Sequence, residues 1–257
     1  MKFYGKTDVG VRRTENQACF GIYEILPGIT LLAVCDGMGG VAGGAIASRI
    51  ALDTFAQSMR EHIIPDNPED EPDLNSVGLR FALSASVSDA NRAVYNEAKK
   101  SDGKLENMGT TLVALLMVEN TLAYSLNIGD SRMYDISDGK ITQLTKDHSY
   151  VQQLLDMGEI TYEESLTSPM RNIITRAVGI EGDASPDIHS LSPAPGTPDA
   201  PRYILLCTDG LCGVVSDEEI AEIVCQDGEL REKTEKLVAA ANKAGGPDNI
   251  TVVIAEL

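Results

Sequence analysis

The sequence predicts an α+β fold in which antiparallel sheets are combined with helices. Short apolar runs that are typical of strands arrive in groups and do not alternate strictly with helical segments. Two of the gaps between such runs carry hairpin signals, at Glu119-Asn120 and at Ser137–Lys140, where Asp-Gly suits a tight turn. Because tight hairpins join antiparallel neighbours, both observations favour antiparallel sheets over a parallel, doubly wound sheet.

Seven runs are predicted as strands because they are short, rich in β-branched residues or Leu, and bounded by Gly, Asn or Asp. They are Ala18–Tyr23, Ile29–Cys35, Thr110–Val118, Thr121–Ile128, Arg132–Ile136, Tyr203–Cys207 and Ile250–Glu256. Five segments with apolar residues at helical spacing are predicted as helices. They are Gly43–Arg60, Ser76–Lys100, Tyr150–Met157, Asp217–Gln226 and Leu230–Ala244. Ser216, followed by Glu219, predicts a capping box at the start of the fourth helix.

Two Pro-rich segments, Ile64–Asn75 and Ser192–Arg202, are predicted to be loops. Acidic motifs lie on both sides of each loop, so neither is predicted to be a domain boundary. A chain of 257 residues is long enough to bury a sizeable core without disulfides or structural zinc. Residues 1–257 are therefore expected to form a single domain, with a monomer as the default expectation.

Charge and hydropathy limit the classes of partner. The net charge of −18 repels a phosphate backbone, so direct binding of nucleic acid is not expected. No run approaches the roughly 18 uncharged apolar residues of a membrane-spanning helix, and the first residues lack the apolar stretch of a signal peptide. Five cysteines, an odd number without paired spacing, favour reduced thiols and a cytoplasmic location.

Cysteine and histidine give little support for a zinc site or a His-based metal site. Only Cys207 and Cys212 are close together, and no histidine lies near them in the sequence. His62 and His189 lie in loop-like sequence, where a solvated surface role is expected. His148 follows a predicted helix start and is expected to be structural.

Four aspartates at the edges of predicted strands point to a metal site built from oxygen ligands. Asp36, Asp130, Asp209 and Asp248 each lie next to Gly or a tight polar turn. If their strands share one core, four carboxylates could converge, and converging carboxylates need cations because they repel one another. Carboxylate and carbonyl oxygens suit Mg²⁺ or Mn²⁺. Any one Asp-Gly could be only a turn, but four such sites in one chain make that explanation poor.

Arg13 is a candidate phosphate ligand. It precedes the first predicted strand, and the planar fork of an arginine binds phosphate oxygens in pairs. The alternative is an ordinary surface arginine, or one that pairs with Glu15.

The motifs together resemble one family, the bacterial-type metal-dependent protein phosphatases known as protein phosphatase 2C or PPM. The matching segments are TDVGVRRTEN, CDGMGG, MGTTL, IGDSR, LTKDHSYVQQLLDMGEI, RNIITRAVG, CTDGL and GGPDNITVV. They follow the family's order and span nearly the whole chain. The resemblance implies a four-layer α-β-β-α sandwich, in which two central antiparallel sheets are flanked by helices and the metal centre lies at one end.

The resemblance also implies roles for the aspartates. Asp36 would bridge two Mg²⁺ or Mn²⁺ ions, one of which would also bind the Gly37 carbonyl. Asp209 and Asp248 would complete the first of these sites, and Asp130 would hold a third, looser ion together with Asp209.

Hydrolysis of phosphoserine and phosphothreonine would then follow from a water activated by the metals. Two adjacent cations can lower the pKa of water towards neutrality, and Arg13 would bind the substrate phosphate during an in-line attack. Arg13 and Asp36 are the residues expected to be catalytic. Phosphorylated proteins are the implied substrates, and a Ser/Thr kinase acting on the same proteins is an implied partner.

One position departs from the family pattern. Ala18 stands where the first motif usually has an acidic residue that helps to hold metal-bound waters. An engineered substitution, natural drift in an active enzyme, and a member that binds without cleaving remain open as explanations. The functional alternative to the phosphatase is therefore a catalytically impaired or regulatory phosphoprotein-binding module. A further hypothesis is a phosphatase that acts on a regulator of a stress or sporulation pathway.

Overall fold

Strands and helices follow one another in clusters along the chain. The computed structural model describes residues 1–257 except 66, 68, 102, 104, 120, 181–183 and 198–199. The strands in the described part are β1 Lys2–Asp8, β2 Ala18–Leu26, β3 Ile29–Met38, β4 Gly109–Thr110, β5 Leu112–Val118, β6 Leu122–Ile128, β7 Arg132–Ser137, β8 Lys140–Gln143, β9 Asp187–Leu191, β10 Arg202–Cys207 and β11 Ile250–Glu256. The helices there are α1 Gly40–Ile63, α2 Ser76–Lys100, α3 Tyr150–Asp156, α4 Tyr162–Thr167, α5 Asp209–Cys212, α6 Asp217–Cys225 and α7 Leu230–Lys243.

The strands form two antiparallel sheets that stack face to face. One sheet has the order β1-β11-β10-β7-β8, and the other has the order β2-β3-β5-β6-β9, with β4 paired to β3. Side chains from β3 and β5 meet side chains from β10 and β11 in an apolar layer between the sheets. This layer buries the inner face of each sheet.

Helices cover the outer faces. One apolar cluster joins β2, β3, β5 and β6 to α1 and α2, and another joins β10 and β11 to α5, α6 and α7. Because both of its faces are covered, β5 is apolar along its whole length (LVALLMV) and does not alternate between apolar and polar residues. The α+β class and the four-layer α-β-β-α arrangement are confirmed.

The seven predicted strands all occur, with shifted ends. The predicted strand Thr110–Val118 is divided into β4 and β5, and Thr111 between them accepts a hydrogen bond from the Asp36 amide through its side chain. The hairpin position Asn120 lies outside the described residues. Strands β1, β8 and β9 were not predicted, because all three are partly exposed edge strands without a buried apolar run.

Of the five predicted helices, only α1 is longer than its apolar periodicity indicates; α2 has the predicted bounds, and α3, α6 and α7 each end one residue earlier. The positions of two histidines also differ from the prediction. His62 lies in the last turn of α1 and His189 lies in β9, so the prediction that both occupy loops is wrong. Ser216 caps α6 by accepting a hydrogen bond from the Glu219 amide, which is one of the two bonds of the predicted capping box. Among the described residues, no helix combines the length and apolar character that a membrane crossing requires.

Candidate metal centre

The four predicted aspartates are contributed by both sheets. Asp36 lies near the end of β3 and Asp130 follows β6, so both belong to one sheet. Asp209 begins α5 just after β10, and Asp248 precedes β11, so these two belong to the other sheet. All four are partly buried. The aspartates therefore lie where the ends of the two stacked sheets face each other.

The electrostatics show that these carboxylates converge. Burial, followed by the negative charges of Asp209, Asp248 and Asp130, raises the pKa of Asp36 well above its ordinary value. Burial and the charge of Asp248 raise the pKa of Asp209 to about 6, although a hydrogen bond with Asp36 opposes the increase. Burial and Asp209 raise the pKa of Asp130 in the same way. Without a cation, the cluster is stabilised by holding protons.

Lowering the pH is expected to stabilise the metal-free protein relative to an Asp209→Asn variant. The pKa of Asp209 is about 6 in the folded protein against an ordinary 3.8, so the folded state binds extra protons between these values. Stability from this group is therefore present at low pH and is lost as the pH rises through about 6. Denaturant unfolding in EDTA should show the variant's advantage at neutral pH shrinking as the pH falls towards 4. An advantage that does not change with pH would contradict the raised pKa.

Position 37 must be glycine because two chain segments approach each other closely there. The Gly37 amide donates to the Gln17 carbonyl at 3.2 Å. A Cβ at this position would lie 2.0 Å from the Gly44 carbonyl oxygen, so only glycine fits between β3 and α1. The backbone thus turns tightly beside Asp36. Coordination by the Gly37 carbonyl stays a prediction.

Thr111 connects the two aspartates of the same sheet, and no role was predicted for it. Its Oγ1 accepts from the Asp36 amide at 2.9 Å and lies 2.7 Å from the Ser131 Oγ. Its own amide donates to the Asp36 carbonyl at 2.9 Å. Thr111 and Ser131 are buried, so these bonds are protected from water. They fix the backbone at Asp36 relative to the residue that follows Asp130.

His148 holds the other side of the Asp130 turn, so its expected structural role is supported. Its amide donates to the Gly129 carbonyl at 2.9 Å, and its Nδ1 accepts from the Gly129 amide at 3.1 Å. Because Nδ1 accepts, the ring proton is on Nε2, which lies 3.0 Å from Asp187. The buried imidazole therefore holds the backbone of Gly129, the residue before Asp130, in place.

Arg13 lies at the edge of the cluster and pairs with an aspartate, not with Glu15. Its Nη2 donates to Asp248 Oδ2 at 2.7 Å, while 52% of its side chain is exposed. The buried Asn249 holds the loop that carries Arg13, because its Nδ2 donates to the carbonyls of Val9 and Glu15. The spacing of Arg13 from the last strand gave no signal of this contact, which depends on the pairing of β1 with β11.

Ala18 lies directly beside the cluster. In the ladder between β2 and β3 it is paired with Asp36, so the two side chains are on the same face of the sheet. Ala18 also lines an open cavity of about 440 Å³. An acidic residue at this position would add a fifth carboxylate next to Asp36.

The residues fit hard divalent cations. Within the described ranges, no three or more His, Cys, Asp or Glu side chains lie together as a group that could hold a metal ion. Mg²⁺ keeps several waters and is usually bound by one or two protein carboxylates. The contacting pair Asp36 and Asp209, with Asp248 beside it, matches that requirement. Cations would also supply the positive charge that the cluster lacks.

Comparison with known sequences points to one family. A family model described as protein phosphatase 2C matches residues 12–245. Over 254 residues the chain is 36% identical to a putative protein phosphatase 2C-type protein of Streptococcus pyogenes serotype M6, covering 99% of this chain and 96% of that protein. It is 37% identical over 257 residues to the serine/threonine protein phosphatase PstP of Mycobacterium tuberculosis, and spans 45% of that protein's length.

Solved structures agree with the sequence comparison. The serine/threonine phosphatase of S. agalactiae superposes with a TM-score of 0.86 at 31% identity, with 98% of each chain covered. The catalytic domain of PstP, solved in complex with two manganese ions, superposes with a TM-score of 0.78 at 36% identity, covering 99% of this chain and 97% of that domain.

Proposed function

The chain belongs to the protein phosphatase 2C family, and we infer that it is a metal-dependent protein serine/threonine phosphatase whose reaction takes place at the Asp36 cluster. It hydrolyses phosphoserine and phosphothreonine with Mg²⁺ or Mn²⁺ as cofactor. Residues 1–257 act as one phosphatase domain in this proposal.

The observation that supports this site most strongly is the contact between Asp36 and Asp209. These carboxyl groups come from different sheets, and burial and mutual repulsion raise both pKa values. Such an arrangement is unfavourable in a purely structural role, since a like-charge pair gives no net stabilisation. A pair whose stability depends on cations is characteristic of a functional centre.

Each aspartate has a distinct task in the proposed site. Asp36 would help to hold two core ions, and the Gly37 carbonyl would bind one of them. Asp209 and Asp248 would complete the first site, and Asp130 would share a third ion with Asp209. When bound, the cations would supply positive charge to the phosphoryl oxygens and lower the pKa of water at the site. Asp36 and Asp209 would then give up the proton that they share.

Arg13 would bind the substrate phosphate. Its Nη2 is held by Asp248, which orients the guanidinium at the edge of the cluster. The other N–H groups of the fork remain for phosphate oxygens, and the half-exposed side chain leaves them open to a substrate. Arg13 would thus fix the phosphoryl group over the aspartates and stabilise its negative charge during the in-line attack.

Two substrates and one chelator test the function. Hydrolysis of an aryl phosphate and of a phosphothreonine peptide should depend on Mn²⁺ and should stop when EDTA is added. The peptide assay measures protein phosphatase activity, and the aryl phosphate reports on the metal centre alone. Tight binding of the phosphopeptide without turnover, in the presence of Mn²⁺, would overturn the proposal.

Replacing Arg13 by Ala is expected to lower kcat/KM for the phosphopeptide by roughly 10- to 100-fold, because the phosphate loses one charged hydrogen-bonding partner. Steady-state kinetics at saturating Mn²⁺ measure this change. Arg13→Lys should recover only part of the loss, because an ammonium group lacks the planar fork.

Arg12→Ala is the matched control for this prediction. Arg12 is an exposed neighbour whose amide, like that of Val11, donates to the Gly246 carbonyl. The control removes the same charge from the same loop, so a general electrostatic effect would appear in both variants. Equal losses in the two variants would show that Arg13 has no specific role.

Location and partners follow from the reaction. A phosphatase of this class needs phosphoproteins, so a Ser/Thr kinase that acts on the same proteins is the proposed partner. We also propose a cytoplasmic location, which is supported by five cysteines that are all free. The hypothesis of a phosphoprotein-binding module is not favoured, because the relatives are phosphatases and the four aspartates converge.

A further inference from the structure

Two cysteines lie opposite each other beside the Asp36 cluster. Cys19 in β2 is paired with Cys35 in β3, so their side chains lie on the same face of the sheet. That face is the outer one, covered by α1, whereas Ala18 and Asp36 point to the other face. The neighbouring Cys35 lowers the pKa of the Cys19 thiol. Directly opposed residues have Cα atoms about 4.5–5.5 Å apart, within the range of about 4.4–6.8 Å for disulfides.

Only one of the two thiols can be reached from outside. Cys35 is completely buried, whereas Cys19 lines the open cavity of about 440 Å³ together with Ser48 and Arg49. The contact with Cys35, the Ser48 hydroxyl and the charge of Arg49 lower the pKa of the Cys19 thiol against the effect of burial. A small oxidant that enters the cavity would therefore meet Cys19 first, with Cys35 behind it as a resolving thiol.

We propose that Cys19 and Cys35 form a reversible disulfide when the protein meets a hydroperoxide. The Cys19 thiolate attacks one peroxide oxygen, the O–O bond breaks, and the other oxygen leaves as hydroxide or alkoxide. The resulting sulfenic acid is attacked by the Cys35 sulfur, which loses its proton, and water is released. Two thiols are thereby oxidised by two electrons, and the peroxide is reduced by the same number. A dithiol reductant reverses the reaction by exchange.

The disulfide would act on the metal centre through the backbone. Cβ atoms of opposed residues are about 4.5–5.5 Å apart, whereas a disulfide requires about 3.8 Å. The ends of β2 and β3 would therefore move together by roughly 1 Å at the residue before Asp36. A displacement of about 1 Å can lower a catalytic rate by about 10²-fold. This consequence rests on the proposed function of Asp36; the disulfide itself does not.

Peptide mapping tests the disulfide directly. The reduced protein is treated with hydrogen peroxide, its remaining thiols are alkylated, and it is cleaved with trypsin and a Glu-specific protease. Cleavage after Glu15, Glu24 and Arg49 places Cys19 and Cys35 in separate peptides. We expect these two peptides to be linked, the intact mass to fall by two hydrogen atoms, and the alkylated thiols to fall from five to three.

Variants separate this disulfide from its competitors. Cys207 and Cys212 are also in thiol contact, and Cys225 is exposed. Cys225→Ser and the double variant Cys207→Ser/Cys212→Ser should still form the 19–35 link, and Cys19→Ser should not. A 207–212 link alone, a dimer linked through Cys225, or oxidation of Cys19 without a link would overturn the proposal. The mapping on the natural sequence gives the answer even if a variant fails to fold.

Two further measurements test the effect on the metal centre. Oxidation should reduce the increase in melting temperature produced by Mn²⁺ and lower phosphopeptide turnover on the order of 10²-fold. A dithiol should restore both, and Cys19→Ser should resist the change. Unchanged Mn²⁺ stabilisation and turnover in a fully linked sample would overturn the coupling to Asp36. If the reduced protein has no turnover at all, the phosphatase proposal fails, while the peptide map still decides whether the disulfide forms.

Discussion

Replacing Asp36 by Asn is expected to remove Mn²⁺-dependent turnover and at the same time to stabilise the metal-free protein. Asp36 lies within the cluster, since burial and the charges of three aspartates raise its pKa. Loss of this carboxylate should lower kcat by at least 10²-fold, about the cost of removing a single group that stabilises the transition state. Turnover of an aryl phosphate at saturating Mn²⁺ measures this effect.

The stability change should have the opposite sign to the loss of activity. An amide at position 36 removes one like charge and can donate a hydrogen bond to Asp209. The melting temperature in EDTA should therefore rise, by about 2–4 °C for each kcal/mol of repulsion relieved. The increase that Mn²⁺ produces in the natural protein should disappear. A lower melting temperature in EDTA would show that Asp36 is a structural residue.

Asp138→Asn is the matched control for this prediction. Asp138 lies in the β7–β8 turn with a φ of 52°, a conformation that Asn adopts readily. This turn follows the end of β7 that lies away from Asp130. The control makes the same chemical change, Asp to Asn, but outside the cluster. It should therefore leave turnover and the Mn²⁺ response unchanged.

Replacing Ala18 by Asp is expected to increase Mn²⁺ affinity and to raise turnover at limiting Mn²⁺. The new carboxylate would be opposite Asp36 in the ladder, where it could hold waters of the bound ions. Partners of this kind typically change metal affinity by 10- to 100-fold. Titration of turnover with Mn²⁺ should show a half-saturation lower by about this factor. In EDTA, the added negative charge should lower the melting temperature.

Ala18→Asn separates charge from size at this position. The amide fills nearly the same space in the cavity beside Ala18 but adds no negative charge. It should leave the Mn²⁺ dependence close to that of the natural sequence. Equal gains in Mn²⁺ affinity from Asp and Asn would mean that the size of the side chain matters. An unchanged Mn²⁺ dependence with Asp would show that position 18 does not contribute to the candidate metal centre.

The sequence indicated the sheets better than it indicated their edges. Runs such as Tyr203–Cys207 are buried in the structure, and their composition reflects that burial directly. Strand β1 pairs with β11 along its whole length, yet its polar and apolar residues follow no regular alternation. An edge strand is held by backbone bonds to a neighbour far away in sequence, so its own side chains carry little information about it.

By itself, the sequence determined the α+β class, the strands that carry Asp36, Asp130, Asp209 and Asp248, and the family. The class and the strands follow from local composition, because a buried strand that ends in a turn needs apolar residues followed by Gly or Asp. The family follows from the resemblance of eight ordered motifs. The tertiary structure alone decided that Asp36 and Asp209 touch, that Arg13 pairs with Asp248, and which residues brace the cluster.

The position of Ala18 opposite Asp36, and of Cys19 opposite Cys35, also depended on the structure. A ladder register is set by both strands and their connection together, and a shift of one residue would move every side chain to the other face. The spacing between β2 and β3 in the sequence is compatible with more than one register. Only the packed sheet selects the register that places Ala18 opposite Asp36 and the two thiols on the other face of the sheet.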